Sequence, residues 1–396
     1  MLRLASGLKR SGLHAEVVTP SYAASWPTDF VISGLRVRRP ITFPRREWSM
    51  GRYARQLTTW LKEHVAGFDC VFIDELSDES SAVLAVRNEL GVPVIVRHGG
   101  DPVDGADGQI AQPRSKSRAL SMARLADRVI TPTAWGHRQL LSRQCREDQI
   151  VRIEVGFPAE PMGRSDDRRR AARKSLAAVN TDLRTDHDGP VVLTVGRMVR
   201  DGGMSRLAES VFPLVNRYPN LRFWLIGDGP ARDTLYTNLK ADGLRGAFAM
   251  PGSFNDFDEL FVAADIYVQA DGAGLSGFLP LAVASELPLV VADREANRSV
   301  LRNHPAAGWY KATSASELRG KIRNRIESPN QSRSDAVTLR KYLVREASEQ
   351  EMILKVRHCI ESAVCHYQAD RSHPSALVRR GHDNRSVEPD RRSEVS

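Results

Sequence analysis

The chain has 396 residues, room for two α/β domains with a sizeable core. Its 41% hydrophobic and 27% charged content excludes collagen-like and wholly disordered classes, and no apolar run reaches the ~18 residues of a membrane span. Lysine plus arginine outnumber aspartate plus glutamate by 57 to 48, which suits an anionic partner: a nucleotide, a phospholipid surface or nucleic acid. Cys70, Cys145, Cys359 and Cys365 are too sparse for a disulfide framework, and the expected compartment is reducing and cytoplasmic.

In chain order, Met1 to Gly12 reads as a short amphipathic helix with Leu2, Leu4 and Leu8 near one face and Leu13 just beyond it. Ala15 to Thr19 reads as a buried strand, and Cys70 to Ile73, Val92 to Arg97, Arg128 to Thr131 and Ile150 to Glu154 as further short strands, each beside a helical pattern. Strands alternating with helices predict a parallel sheet covered on both faces. A doubly wound sheet opens with a strand and a glycine turn, whereas this chain opens inside a helix. If the start lies inside a longer reading frame, Leu2 to Leu13 is expected to pack as a first helix beside a vacant strand position; if the chain truly lacks that strand, the exposed apolar sheet edge needs a partner or another strand to cover it. Between the first strands, Arg36, Arg38, Arg39, Arg45, Arg46 and Arg52 interleave with Phe43, Trp48 and Tyr53. That pattern suits an anionic membrane surface, but the favoured reading is a polar loop after an edge strand.

Arg164 to Lys174 is a charge run that reads as a solvated helix in a domain connection; it lacks the aromatic interleaving of a nucleic-acid site. A second alternating unit follows: strand Val191 to Val195, a helix over Ser205 to Tyr218, strand Arg222 to Ile226, a helix to about Leu239, then short strands at Ala247 to Met250, Ile266 to Gln269 and Leu289 to Ala292. The expected organisation is a first α/β domain over 1–160, a charged connection over 161–189, a second α/β domain over 190–335, a C-terminal helix over 336–367, and a polar, disordered tail over 368–396.

No P-loop pattern occurs, and Gly227-Asp228-Gly229 lacks the third glycine of a dinucleotide fingerprint, since position 232 is Arg. Cys359 and Cys365, flanked by His358 and His366, miss a zinc spacing and read as packing or solvated positions on a helix. Two glycine-rich loops remain. Gly196 to Gly203 follows a strand, and its Arg197 is suited to clamp a diphosphate. Gly272 to Gly277 precedes the apolar helix Phe278 to Glu286, where Gly274, Ser276, Gly277 and free N–H groups can meet an anion.

With those loops, VVLTVGRMVRDGG, LRFWLIGDGPARDTL, ELFVAADIYVQA, GAGLSGFLPLAVASELPLVVAD and NRSVLRNHPAAGWY resemble the donor domain of a family-four glycosyltransferase of the GT-B class. VPVIVRHGG, ADRVITPTAWGHRQLL and IVRIEVGFP resemble that family's N-terminal domain. The resemblance implies two Rossmann-like domains facing a cleft, 1–160 on the acceptor side and 190–335 for the nucleotide-sugar donor, with the C-terminal helix crossing back to the first domain. It also implies transfer of a sugar from a nucleotide-sugar donor to a hydroxyl of a saccharide or lipid-linked acceptor, with retention, no bound metal and no other cofactor. Arg197 matches the family's diphosphate-binding arginine, with Gly196 beside it. The chain departs from the family at four positions. Gly202 stands for a lysine, Ala273 and Leu281 for two glutamates, and Ser299 for the acidic residue after Asn297-Arg298.

His98 ends the strand VPVIVRH at the edge facing the cleft. It reads as a donor-sugar or acceptor contact and proton acceptor, or as a histidine bonded to its own Gly99-Gly100 turn. Thr131 and Thr133 read as structural. The expected function is a glycosyltransferase of polysaccharide or glycolipid synthesis, cytoplasmic with peripheral contact at the inner membrane face, and without a nucleic-acid partner. The alternative is a non-catalytic GT-B-like protein that binds an acceptor or a partner enzyme.

Overall fold

Fully apolar β-branched runs are buried on both faces while the segments between them are amphipathic, and this pattern sets the architecture. The computed structural model describes residues 2–22, 25–44, 49–99, 114–185, 189–200, 202–254, 257–271 and 278–372.

The first lobe runs α1 (Leu2–Arg10), β1 (Glu16–Val18), β2 (Asp29–Ile32), β3 (Leu35–Arg38), α2 (Met50–His64), β4 (Val71–Asp74), α3 (Asp78–Ala85), α4 (Arg87–Leu90), β5 (Val94–Arg97), α5 (Arg114–Met122), β6 (Arg128–Thr131), α6 (Ala134–Ser142) and β7 (Ile150–Arg152). Strands β4-β5-β6-β7 form one parallel sheet in sequence order. Val94, Val96 and Val129 point to the core under α3 and α5, while the alternating Ile95 and Ile130 point to Leu4 and Leu8 of α1. A separate three-stranded sheet has the order β1-β3-β2.

Two expectations are corrected here. The strand read at Ala15 to Thr19 is half-exposed, not buried, because among the described residues β1 has β3 on one side and no strand on the other. The arginine-rich segment is neither a loop nor a free basic surface over its first part: β2 and β3 form an antiparallel hairpin. Arg36 Nη2 sits 2.6 Å from Asp29 Oδ2 and Arg38 Nε 2.8 Å from Glu16 Oε2, so cross-strand carboxylates neutralise them. Tyr53 is buried with its ring edge-on to Phe43 at 5.5 Å, and Arg39 lies over Trp26 and Phe30. Arg45, Arg46 and Trp48 lie outside the described residues.

The second lobe runs α7 (Asp166–Val179), β8 (Val191–Val195), α8 (Gly203–Ser210), α9 (Phe212–Arg217), β9 (Arg222–Ile226), α10 (Arg232–Ala241), β10 (Phe248–Gly252), α11 (Asp258–Ala263), β11 (Ile266–Gln269), α12 (Phe278–Ala284), β12 (Leu289–Ala292), α13 (Glu295–Val300), β13 (Trp309–Tyr310), α14 (Ala315–Glu327), α15 (Pro329–Glu346) and α16 (Glu349–Ser372). Its six-stranded, wholly parallel sheet has the order β10-β9-β8-β11-β12-β13. That is the doubly wound order, with its switch point between β8 and β11. Leu193, Trp224 and Ile226 face one core, and Val192, Phe223 and Leu225 the other.

Three further expectations are corrected. The helix over Ser205 to Tyr218 breaks into α8 and α9 around Val211, where Pro213 enters the first turn of the second helix. The charged run is a helix with a solvated outer side, as expected, but its inner side is held to the second lobe. On and just before α7, Arg164, Arg169 and Arg173 reach Asp265 at 2.8, 2.9 and 2.5 Å, and Asp265 also accepts the Val191 N–H at 2.8 Å, fixing α7 to the second sheet. The single C-terminal helix is two, α15 and α16. α16 packs Ile353, Val356 and Ile360 with Leu4 and Leu8 of α1, so the chain does cross back, and residues 368–372, read as tail, are helical. The rest of that tail lies outside the described residues.

Candidate functional site

In a parallel sheet, ligands bind beyond the carboxyl ends of the strands at the switch point, here β8 and β11. After β8 the chain turns through Gly196 and Arg197, and a second glycine turn braces the first. Gly196 N–H donates to Ile226 O at 3.0 Å, Met198 N–H to Asp228 O at 2.9 Å, and Ala231 N–H to Met198 O at 3.1 Å. Gly227 has φ +134°, and a Cβ there would lie 1.9 Å from Gly196 O, so only glycine permits the contact. Gly227-Asp228-Gly229 is thus a buttress, and it leaves Arg197 exposed at the tip of the turn.

Beside this turn, Asp271 follows β11 and accepts the Gly203 N–H at 2.9 Å (Oδ1) and 3.0 Å (Oδ2), occupying the start of α8. A Cβ on Gly203 would meet the Ala270 Cβ at 2.6 Å, so α8 reaches Asp271 only because position 203 has no side chain. Burial pushes the Asp271 carboxyl up, against the opposing pull of Arg206 and of the Gly203 N–H. Burial and Asp271 also push the Tyr310 phenol up, while Arg206 and Arg294 pull it down. Arg206 and Arg294 therefore join Arg197 as cations at this edge.

In the first lobe the carboxyl ends of β4, β5 and β6 carry Glu75, His98 and Thr131. His98 is buried and held at both ring nitrogens, Nδ1 3.0 Å from Glu75 Oε1 and Nε2 3.2 Å from Gln139 Oε1. Glu75 Oε2 also accepts the Gly99 N–H at 3.2 Å. Its ring nitrogens thus meet Glu75 and Gln139 rather than Gly99, and Gly100, the other residue of the expected turn contact, lies outside the described residues. Glu75 carries φ +90°, a strained value for a residue with a Cβ. Thr133 caps α6 by accepting the Gly136 N–H at 3.0 Å, and Thr131 Oγ1 is buried with no hydrogen-bond partner among the described residues.

The two edges face one another. Burial and Glu79 push the Tyr22 phenol up, and Arg197 of the other lobe pulls it down, so Arg197 lies within electrostatic reach of Tyr22. Tyr53 Oη donates to Glu79 Oε1 at 3.3 Å. Arg138 of α6 and Glu295 of α13 pair at 3.0 Å across the lobes.

Of the predicted residues, the structure places His98, Gly196 and Arg197 at the facing edges. Gly274, Ser276 and Gly277, with Ala273, lie outside the described residues. Gly202 caps α8. Leu281 is buried in the core under α12, and Ser299 lines a small cavity between the lobes with Pro132, Glu154 and Arg302. Cys359 is buried in α16 while Cys365 is exposed, and His366 bonds its own helix backbone. Glu75, Glu79, Gln139, Tyr22, Arg206, Asp271 and Arg294 were not singled out by sequence. The only local signal is position, since Glu75 and Asp271 follow apolar strands.

Residues 1–156 match the family described as glycosyl transferase 4-like domain, and residues 189–327 the family described as glycosyl transferases group 1. Over 95 residues the chain is 33% identical to the lipopolysaccharide core biosynthesis glycosyltransferase LpsE of Rhizobium meliloti, covering 24% of this chain and 27% of that protein. Over 153 residues it is 30% identical to the alpha-D-kanosaminyltransferase of Streptomyces kanamyceticus, covering 34% and 39%. The matches thus span well under half the length of these curated relatives. Among solved structures, the sucrose-phosphate synthase of Thermosynechococcus elongatus superposes with a TM-score of 0.69 at 17% identity, over 92% of both chains. Anabaena HepE in complex with UDP and glucose gives 0.64 at 17%, over 83% of this chain and 87% of its own. WaaG, a glycosyltransferase involved in lipopolysaccharide biosynthesis, gives 0.64 at 16%, over 91% and 94%. The fold is that of these two-lobed enzymes.

Proposed function

Because the chain belongs to the GT-B glycosyltransferases built from a glycosyl transferase 4-like and a group 1 domain, we propose that it moves a sugar from a nucleotide-sugar donor to a hydroxyl of a saccharide or lipid-linked acceptor, with retention. The observation that carries this reading is Arg197. It is exposed on a glycine-braced turn at the switch point of the second sheet and lies within electrostatic reach of Tyr22 of the first lobe.

The donor diphosphate would lie against that turn, where Arg197 can bind it bidentately. Arg206 and Arg294 add positive charge at the same edge. As the bond from the anomeric carbon to the phosphate oxygen breaks, negative charge grows on the leaving diphosphate. Fixed cations stabilise it there without a metal. The acceptor oxygen would bond to the anomeric carbon from the face the diphosphate leaves, and its proton would pass to a phosphate oxygen. His98 would contact donor sugar or acceptor through Nε2 when a substrate hydroxyl replaces Gln139, with Nδ1 kept on Glu75.

Curated relatives named for lipopolysaccharide core biosynthesis support a role in polysaccharide or glycolipid assembly. Among the described residues no helix is long and apolar enough to cross a membrane. A lipid-linked acceptor would be met from the cytoplasmic side, near Arg52, Arg55 and Trp60, which line one groove on α2. HepE is described with UDP and glucose, so uridine diphosphate sugars head the donors to try. The test incubates the protein with uridine, guanosine and adenosine diphosphate sugars and saccharide acceptors, and measures released nucleoside diphosphate and the anomeric configuration of the product. A retained product supports the reading, and an inverted product refutes its stereochemistry.

One observation favours a second reading, a non-catalytic binding protein. Leu281, where the family carries a glutamate, is packed in the core. A protein that binds acceptor saccharide but no nucleotide would establish that reading instead.

A further inference from the structure

The β2–β3 hairpin and its exit carry Arg36, Arg38 and Arg39, and the third is held differently from the others. Arg36 pairs with Asp29 and Arg38 with Glu16. Arg39 meets no carboxylate among the described residues, and its Nε is buried without a hydrogen-bond acceptor. It lies instead over two rings, its Cζ 4.7 Å from the centre of Trp26 and 4.6 Å from that of Phe30.

Stacking decides what such a guanidinium can still do. The ring faces stabilise its charge but accept nothing in its plane. They fix that plane while the N–H groups along its edge stay available for a carboxylate or phosphate, which a guanidinium binds bidentately. A cation that has lost water and gained no acceptor is costly to keep, so packing alone leaves the arrangement incomplete.

Arg39 also stands at one end of an aromatic row. Trp26 meets Tyr22 edge-on at 6.0 Å, Tyr22 meets Phe43 at 5.1 Å, and Phe43 meets Tyr53 at 5.5 Å. Trp26 is 42% and Tyr22 57% exposed, so both rings present surface to a ligand. The Tyr22 phenol lies within electrostatic reach of Arg197, so the row leads from Arg39 to the donor edge of the second lobe. Glu79 is bonded to Tyr53 Oη at 3.3 Å, at the other end of the row from Arg39. Exposed aromatic faces carry partial negative charge and suit the C–H faces of a sugar ring.

We propose that Arg39 determines acceptor specificity: it pairs with an anionic group, carboxylate or phosphate, on a saccharide whose rings pass over Trp26 and Tyr22 toward the donor. The inference rests on the glycosyltransferase reading and narrows the acceptor to an acidic saccharide longer than one ring. The reacting hydroxyl lies on the ring nearest Tyr22, and the anion on a ring beyond it.

The test titrates the full chain with cellobiouronic acid, phosphorylated cellobiose and neutral cellobiose, in the presence of millimolar uridine diphosphate to occupy Arg197. Both acids should bind at least about tenfold more tightly than cellobiose. Arg39→Gln should erase that difference, whereas Arg36→Gln, at an arginine already paired with Asp29, should leave it. Should Arg39→Gln fail to fold, phenylglyoxal labelling of the unmodified chain locates the anion. Both acids should then slow modification of Arg39, read by peptide mass spectrometry. Failure of uridine diphosphate to bind would count against the donor reading alone, since the acid preference at Arg39 is read separately. Equal binding of the acids and cellobiose, or an acid preference that survives Arg39→Gln, overturns the proposal. So does protection of Arg39 by inorganic phosphate as strong as by the acids, or by phosphatidylglycerol vesicles but by neither acid.

Discussion

His98 Nδ1 lies 3.0 Å from Glu75 Oε1, and Glu75 holds a backbone φ of +90°. Its two oxygens divide between the imidazole and the Gly99 N–H, so one carboxylate fixes both the ring and the turn that follows it. Glu75→Ala should lower kcat/KM by roughly ten- to a hundredfold, the worth of one or two charge-assisted hydrogen bonds. Glu75→Gln, which keeps an acceptor without the charge, should fall between. Steady-state kinetics with the best donor checks both; equal activity in all three proteins would remove Glu75 from the site.

Leu281 is buried in the core that α12 shares with the second sheet. Leu281→Glu should therefore not restore a donor contact. It should place an unpaired carboxylate among apolar side chains and cost about 3–5 kcal/mol. Thermal denaturation should show a fall in Tm of roughly 10 °C. A stable variant with raised turnover would show instead that position 281 turns toward the donor.

Asp265 neutralises Arg164, Arg169 and Arg173, all largely buried, and caps the start of β8. Asp265→Ala leaves three guanidinium groups without their carboxylate. The expected loss is again about 3–5 kcal/mol, read as a lower urea midpoint. Substituting exposed Arg170, which pairs only at the surface with Asp167, should change it by less than about 1 kcal/mol.

The contrast between those two arginines shows what a sequence can carry. Val191 to Val195 and Leu289 to Ala292 were legible as strands because a run buried on both faces is apolar at every position. RSDDRRRAARK looked solvated because the residue that organises it, Asp265, stands about a hundred positions away, and no local periodicity encodes that meeting. LRVR read as part of a basic surface for the same reason, since its partners Asp29 and Glu16 become visible only once the hairpin is paired. At the site, Arg197 announced itself through its glycine turn. Glu75 is one acidic residue after a strand, and only its φ and its distance to His98 mark it out.

Burial pushes the thiols of Cys70, Cys145 and Cys359 up to about 11, with Asp69 adding to the rise at Cys70. At pH 8 each then holds about a hundredfold less thiolate than a thiol titrating near 9. Exposed Cys365 should be the one cysteine alkylated rapidly by iodoacetamide at pH 8, with the other three reacting only in denaturant. Peptide mass spectrometry after timed quenching checks the order. Rapid modification of Cys359 would show that α16 lifts from the first lobe.

The central claim is that the turn carrying Arg197 binds the diphosphate of a nucleotide sugar, and isothermal titration with uridine, guanosine and adenosine diphosphates tests it most directly. At least one should bind the wild-type protein with submillimolar Kd, and Arg197→Ala should weaken that binding by about 1.5–3 kcal/mol, roughly ten- to a hundredfold. No heat from any of the three at millimolar concentration, with a folded sample, would contradict the glycosyltransferase account and leave the non-catalytic reading.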